Sequence, residues 1–138
     1  NKKGLDSIIS TIGGDSNRAT CIVSNSNVKL CAGVSRDEAN ETDITEAKIR
    51  QLQLMALASN LNNDIALAEK YFLESIALEE SISYSYGPPA IQKPTHELYA
   101  DWLLTQNRKE EAIEHYKIGL KAAPKRLLAL KGIEKANA

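Results

Sequence analysis

Cysteine and histidine occur twice each in these 138 residues, and methionine, tryptophan and phenylalanine once each. Each scarcity removes a class of molecule. Two cysteines, Cys21 and Cys31, cannot build the dense disulfide framework of a small secreted scaffold. Two histidines leave little for a metal centre. Glu111 and His115 stand four apart on one helix face, which is half of a site, and such pairs are common solvated neighbours. The serines have no histidine at a recognisable catalytic spacing, and Gly13-Gly14 lacks the Lys-Ser/Thr of a phosphate-binding loop. Neither an enzyme nor a cofactor or metal site is expected. An excess of one charge is missing too: 17 Lys+Arg stand against 18 Asp+Glu, for a net −1. That balance gives no general pull toward nucleic acid or anionic membranes. No apolar run approaches the ~20 residues that span a bilayer, so membrane insertion is not expected. The chain opens on Asn1 rather than Met, which suggests a fragment or processed product. Asn40-Glu41-Thr42 matches a glycosylation acceptor, a pattern too short to carry weight.

Proline is scarce as well, and its placement is informative. Of the 4 prolines, Pro88, Pro89 and Pro94 fall in "SYGPPAIQKPTHELY" between two stretches of strong helix formers. Residues 43–82 and 95–136 are rich in Ala, Leu, Glu and Lys; residues 13–42 are not. There, Gly13-Gly14-Asp15-Ser16-Asn17 and Ser24-Asn25-Ser26-Asn27 are turn-forming clusters. Thr20–Val23 and Val28–Cys31 read as a short hairpin, with a poor helix over Val28 to Asn40 as the other reading. Leu5, Ile8, Ile9 and Ile12 fall at helical spacing and predict one short amphipathic helix. The expected division is a loop-rich segment, 1–42, and an all-α domain, 43–138.

The helical part repeats. A shift of 44 places Leu54 on Leu98, Ala56 on Ala100, Asn63 on Asn107, Ala68 on Ala112, Phe72 on Tyr116 and Ser75 on Gly119. A small residue on each helix lets two antiparallel helices approach, and an aromatic fills the gap beside them. Ala68-x3-Phe72, Ala112-x3-Tyr116 and the later Pro124 match the second half of the tetratricopeptide pattern. Helices are predicted over 45–61, 65–81, 95–106 and 109–122 as two antiparallel pairs, with turns at Asn63-Asp64 and Asn107-Arg108. Asp64 is the expected N-cap of its helix, and Pro94 or Thr95 the start of the third. Ala56, Ala68, Phe72, Ala100, Ala112 and Tyr116 are expected to be buried. A tetratricopeptide unit repeats every 34 residues or about that, so about ten residues are inserted at the proline-rich stretch.

Gly87-Pro88-Pro89, Lys93-Pro94, Glu97-Leu98, Leu103-Leu104, Glu111-Ala112, Tyr116, Pro124-x-Arg126 and Ala129-Leu130-x-Gly132 together resemble the C-terminal part of a group of bacterial tetratricopeptide-repeat proteins. Those proteins mostly lack an assigned activity. The resemblance covers 45–136 and omits 13–42. It implies a short right-handed solenoid of helix pairs, with Leu127 to Ala136 as a third first-type helix capping the stack. The usual tryptophan of the first helix is replaced by Leu52 and His96, and its glycine by Ala56 and Ala100.

A solenoid's first helices line a concave face that holds peptides or partner helices. On the repeat's frame the groove candidates are Gln53, Leu57, Asn60, Glu97, Asp101 and Leu104, a mildly acidic surface suited to a basic or amphipathic segment. The family's clamp for a terminal carboxylate uses Lys and Asn where Gln53 and Leu57 stand, so that ligand is not expected. The function expected is therefore protein–protein interaction or assembly. The other reading is a structural C-terminal cap on a larger enzyme or exported protein. Lys117, Lys121, Lys125, Arg126, Lys131 and Lys135 read first as a solvated face, with a patch for an acidic partner as the less favoured reading. A hairpin turning at Asn25-Ser26-Asn27 puts Cys21 opposite Cys31. A disulfide there would mean a periplasmic or otherwise exported protein; two free thiols would mean a cytoplasmic one.

Overall fold

The computed structural model describes residues 3, 4, 6–14, 41–82 and 91–138. The expected hairpin, Cys21 and Cys31, and Gly87-Pro88-Pro89 lie outside them. Every described element is a helix. The chain forms two compact units, Asn1–Ala90 and Ile91–Ala138, so their boundary in the sequence falls within the proline-rich stretch.

In the first unit α1 runs through residues 6–14, α2 through Glu41–Leu61 and α3 through Ile65–Ser81. The α1 helix lies where the isoleucine spacing puts it. Its Gly13 faces Gln51 of α2 so closely that a Cβ would stand 2.5 Å from the Gln51 amide nitrogen. α2 starts four residues before the expected position, because Glu41 and Asp43 sit at the positive end of the helix dipole. The bounds of α3 are as predicted. The Asp64 carboxylate caps it, accepting from the Leu67 N–H at 3.1 Å.

The second unit holds α4 (Thr95–Thr105), α5 (Lys109–Ala122) and α6 (Leu127–Asn137). Pro94 stands at the N-cap of α4, where its missing N–H leaves no helical bond unmade. Arg126 holds the same position on α6.

Both hairpins turn in the same way. Asn63 and Asn107 have φ of 59° and 60°, the left-handed region that asparagine tolerates better than most residues. The N–H of Asp64 reaches the Ser59 carbonyl at 3.0 Å, and that of Arg108 reaches Leu103 at 3.0 Å. The preceding bonds repeat as well: Asn62 to Ala58 and Ser59, Gln106 to Trp102 and Leu103. These six-residue closures satisfy the last carbonyls of each first helix and reverse the chain. The 44-residue repeat is thus present in the backbone.

The small residues lie at the helix contacts. Ala56, Ala68, Phe72, Ala100 and Ala112 are fully buried, and Tyr116 is buried. Full burial of a ring such as Phe72 contributes about 1.5–3 kcal/mol. Ser75, also buried, donates its hydroxyl to the Ile49 carbonyl at 3.3 Å and so ties α3 to α2. In the second unit α6 is seated on Tyr116. A Cβ added to Gly132 would come 2.2 Å from the ring's Cζ, so only glycine allows this approach.

Candidate functional site

The six groove candidates fall three to a unit. Gln53, Leu57 and Asn60 lie half-buried on α2; Glu97, Asp101 and Leu104 lie on α4. Their surroundings in the second unit alter what that trio can do.

Glu97 is 2% exposed, so it is not part of an open acidic face. Arg126 takes its carboxylate: Nε donates to one oxygen, and Nη2 to the other at 3.3 Å. Nη2 also donates to the Gln92 carbonyl at 2.8 Å. A buried carboxylate needs this pairing, since alone it would face the full desolvation penalty. The arginine at the start of α6 therefore locks α6 to the first turn of α4.

Asp101 is committed within the fold too. Lys93 donates to its Oδ2 and the Tyr116 hydroxyl to its Oδ1. Burial, then the hydrogen bond to Asp101, pushes the Tyr116 hydroxyl well above the ordinary tyrosine range. It is a donor fixed in place, not an acid for chemistry.

Leu104 borders a concavity of about 380 Å³ between α4 and α6. Lys93, Asp101, Leu128, Lys131 and Lys135 share its wall. Three lysines against one aspartate leave a local charge of +2, and Lys93 with Asp101 already neutralise each other. Lys131 and Lys135, four apart on α6, supply the charge that remains. Leu104 and Leu128 supply an apolar patch, with Leu128 58% exposed. In the sequence the lysines show only as a basic concentration near the C-terminal end, which fits a solvated face or a patch for an acidic partner. Only the seating of α6 beside α4 brings them to Leu104.

The Glu111–His115 pair does not meet as half a metal site. Arg108 holds Glu111, with Nε to Oε1 at 2.6 Å, and that hydrogen bond lowers the Glu111 pKa. His115 turns to His96 of α4, Nδ1 to Nδ1 at 2.9 Å. Tyr99 packs edge-on against His115 with centroids 4.7 Å apart, and Trp102 lies 5.6 Å beyond Tyr99. Burial first, and His96 second, lower the His115 pKa. Among the described residues no three of His, Cys, Asp and Glu gather to hold a metal ion, and no helix is long and apolar enough to cross a membrane.

Comparison with known proteins finds no family model, no curated protein and no solved structure that matches this chain.

Proposed function

We propose that this chain is a non-catalytic protein-interaction or assembly module of the tetratricopeptide-repeat type, its helix pairs stacking as a short right-handed solenoid. The 44-residue recurrence of turn, buried alanine and aromatic supports the repeat reading. The observation that carries the function is the concavity bordered by Leu104, Leu128, Lys131 and Lys135. Its apolar patch and surplus positive charge suit a protein segment that presents carboxylates beside an apolar side chain. The partner is thus acidic and amphipathic; a basic segment is less favoured, because the carboxylates of Glu97 and Asp101 already have partners within the second unit.

The cap reading is less favoured by α6 itself. A capping helix needs a polar outer face, yet Leu127, Leu128 and Leu130 are 60%, 58% and 46% exposed. The test uses fluorescein-labelled peptides of Asp, Glu and Leu, with matched Lys and Leu peptides, read by anisotropy. The acidic set should bind, weaken with salt, and lose binding in a Lys131→Glu, Lys135→Glu variant whose helical circular dichroism is unchanged. Equal binding of both sets, or of neither, overturns the assignment. Preference for a short RNA of the same charge would move it to nucleic acid.

A further inference from the structure

The contact between His96 and His115 is not explained by the binding surface. The two rings meet through like atoms, Nδ1 to Nδ1 at 2.9 Å, with centroids 5.1 Å apart. Such a bond exists only while one Nδ1 carries a hydrogen and the other offers a lone pair. A neutral pair satisfies this, and so does a pair with one imidazolium, whose bond is charge-assisted. A doubly charged pair does not. Both Nδ1 atoms then carry hydrogens, no lone pair faces either, and two cations stand head to head.

We infer that the His96–His115 contact is an acid-released latch between α4 and α5, closed while one proton lies between the rings and opened when both rings are charged. It sits on the seam of this hairpin, where a Cβ added to Gly119 of α5 would stand 3.9 Å from the His96 Cβ. The surroundings are mixed. On α5, Glu111 and Glu114 favour a charged His115, while Arg108 opposes it and already holds Glu111. On α4, His96 opposes it and Tyr99 offers a ring edge. Among the described residues no lysine of α6 acts on His115. Burial and the facing histidine prevail, so folding disfavours the charged ring.

The sign follows. The unfolded chain takes up this proton near the ordinary histidine value of about 6.5, and the closed hairpin only at lower pH. The latch therefore stabilises the hairpin above that value and loses its contribution as pH falls through it. Each unit between the two values is a tenfold loss in the ratio of closed to open hairpin, by the ~1.36 kcal/mol per unit of linkage. Through Tyr99 the change reaches Trp102, the chain's only tryptophan.

The experiment follows histidine ring nitrogen resonances of the intact chain from pH 8 to 4.5, with urea midpoints by Trp102 fluorescence at pH 7.5 and 5.5. The expected result is two separated protonation steps and a midpoint that falls between the two pH values. His96→Gln and His115→Gln should each flatten that fall, whereas Glu111→Gln should leave it in place. Rings titrating as independent sites at the ordinary value overturn the latch. So does a fall that persists undiminished in both histidine variants. If a variant fails to fold, the wild-type ring titration decides alone.

Discussion

Phe72 in the first hairpin occupies the register that Tyr116 takes in the second, and Leu57 occupies that of Asp101. The first pair is wholly apolar. The second adds one hydroxyl and one carboxylate, and the two are hydrogen-bonded to each other. Asp64, which caps α3 with its carboxylate, likewise corresponds to Arg108, which makes no such cap and instead grips Glu111 one turn on. The backbone bonds of the two turns nevertheless coincide to within a few tenths of an ångström. The turn geometry and the small residues at the contact therefore specify the hairpin. The polar chemistry around it is free to differ, and in the second unit it ties α5 to α4 through Tyr116 and Asp101.

That division is best broken where the units differ most. Arg126→Ala leaves Glu97 buried without its partner, and should cost the second unit about 3–5 kcal/mol. Urea unfolding followed by Trp102 fluorescence reads that unit, since its reporter lies on α4. A loss under about 1 kcal/mol, the level of a surface pair, would mean that water reaches Glu97. Next come the shared contacts. Ala68→Leu and Ala112→Leu should each cost about 1–3 kcal/mol by overpacking, and to a similar extent, because both sites are fully buried. Circular dichroism for the first and Trp102 fluorescence for the second would show it. A wild-type midpoint in either would count against the common register.

Tyr116→Phe converts the second hairpin halfway to the first. Removing one hydrogen bond should cost about 1 kcal/mol, and adding Asp101→Leu should recover part of it. A double mutant that is merely additive would show that the pair does not act together. The smallest effects lie at the caps. Asp64→Ala should cost ~1 kcal/mol for the lost cap. Arg108→Ala, which breaks an exposed ion pair, should cost less than the lost cap. Thermal melts compare the two, and the reverse order would refute the asymmetry.

Much of the fold was legible because it rests on short-range rules. The bounds of α3 and α5 follow from the alanine and aromatic spacing and from the asparagine turns, all local signals. α2 began earlier than expected because acids at a helix start extend it. The site was less legible because it depends on pairings at long separation. Nothing local to Glu97 announces Arg126, 29 residues on. Without that partner the glutamate reads as a groove acid. His96 and His115, 19 apart, likewise carry no local sign of each other: one stands where a first-helix tryptophan is usual, the other four residues after Glu111. Lys131 and Lys135 were seen in sequence, but their meaning depends on where α6 lies.

Gly132 decides that placement by exclusion. With Leu127, Leu128 and Leu130 exposed, the large apolar side chains of α6 do little to prefer one axial position over another. Sliding it by a turn would bring Leu128 or Ala136 beneath Tyr116, where a Cβ has no room. Only one residue of α6 lacks that atom at the crossing, so the helix has one seat. The glycine thus works as an index mark. It contributes little binding of its own, but it fixes the phase in which Arg126 meets Glu97 and in which Lys131 and Lys135 face the concavity.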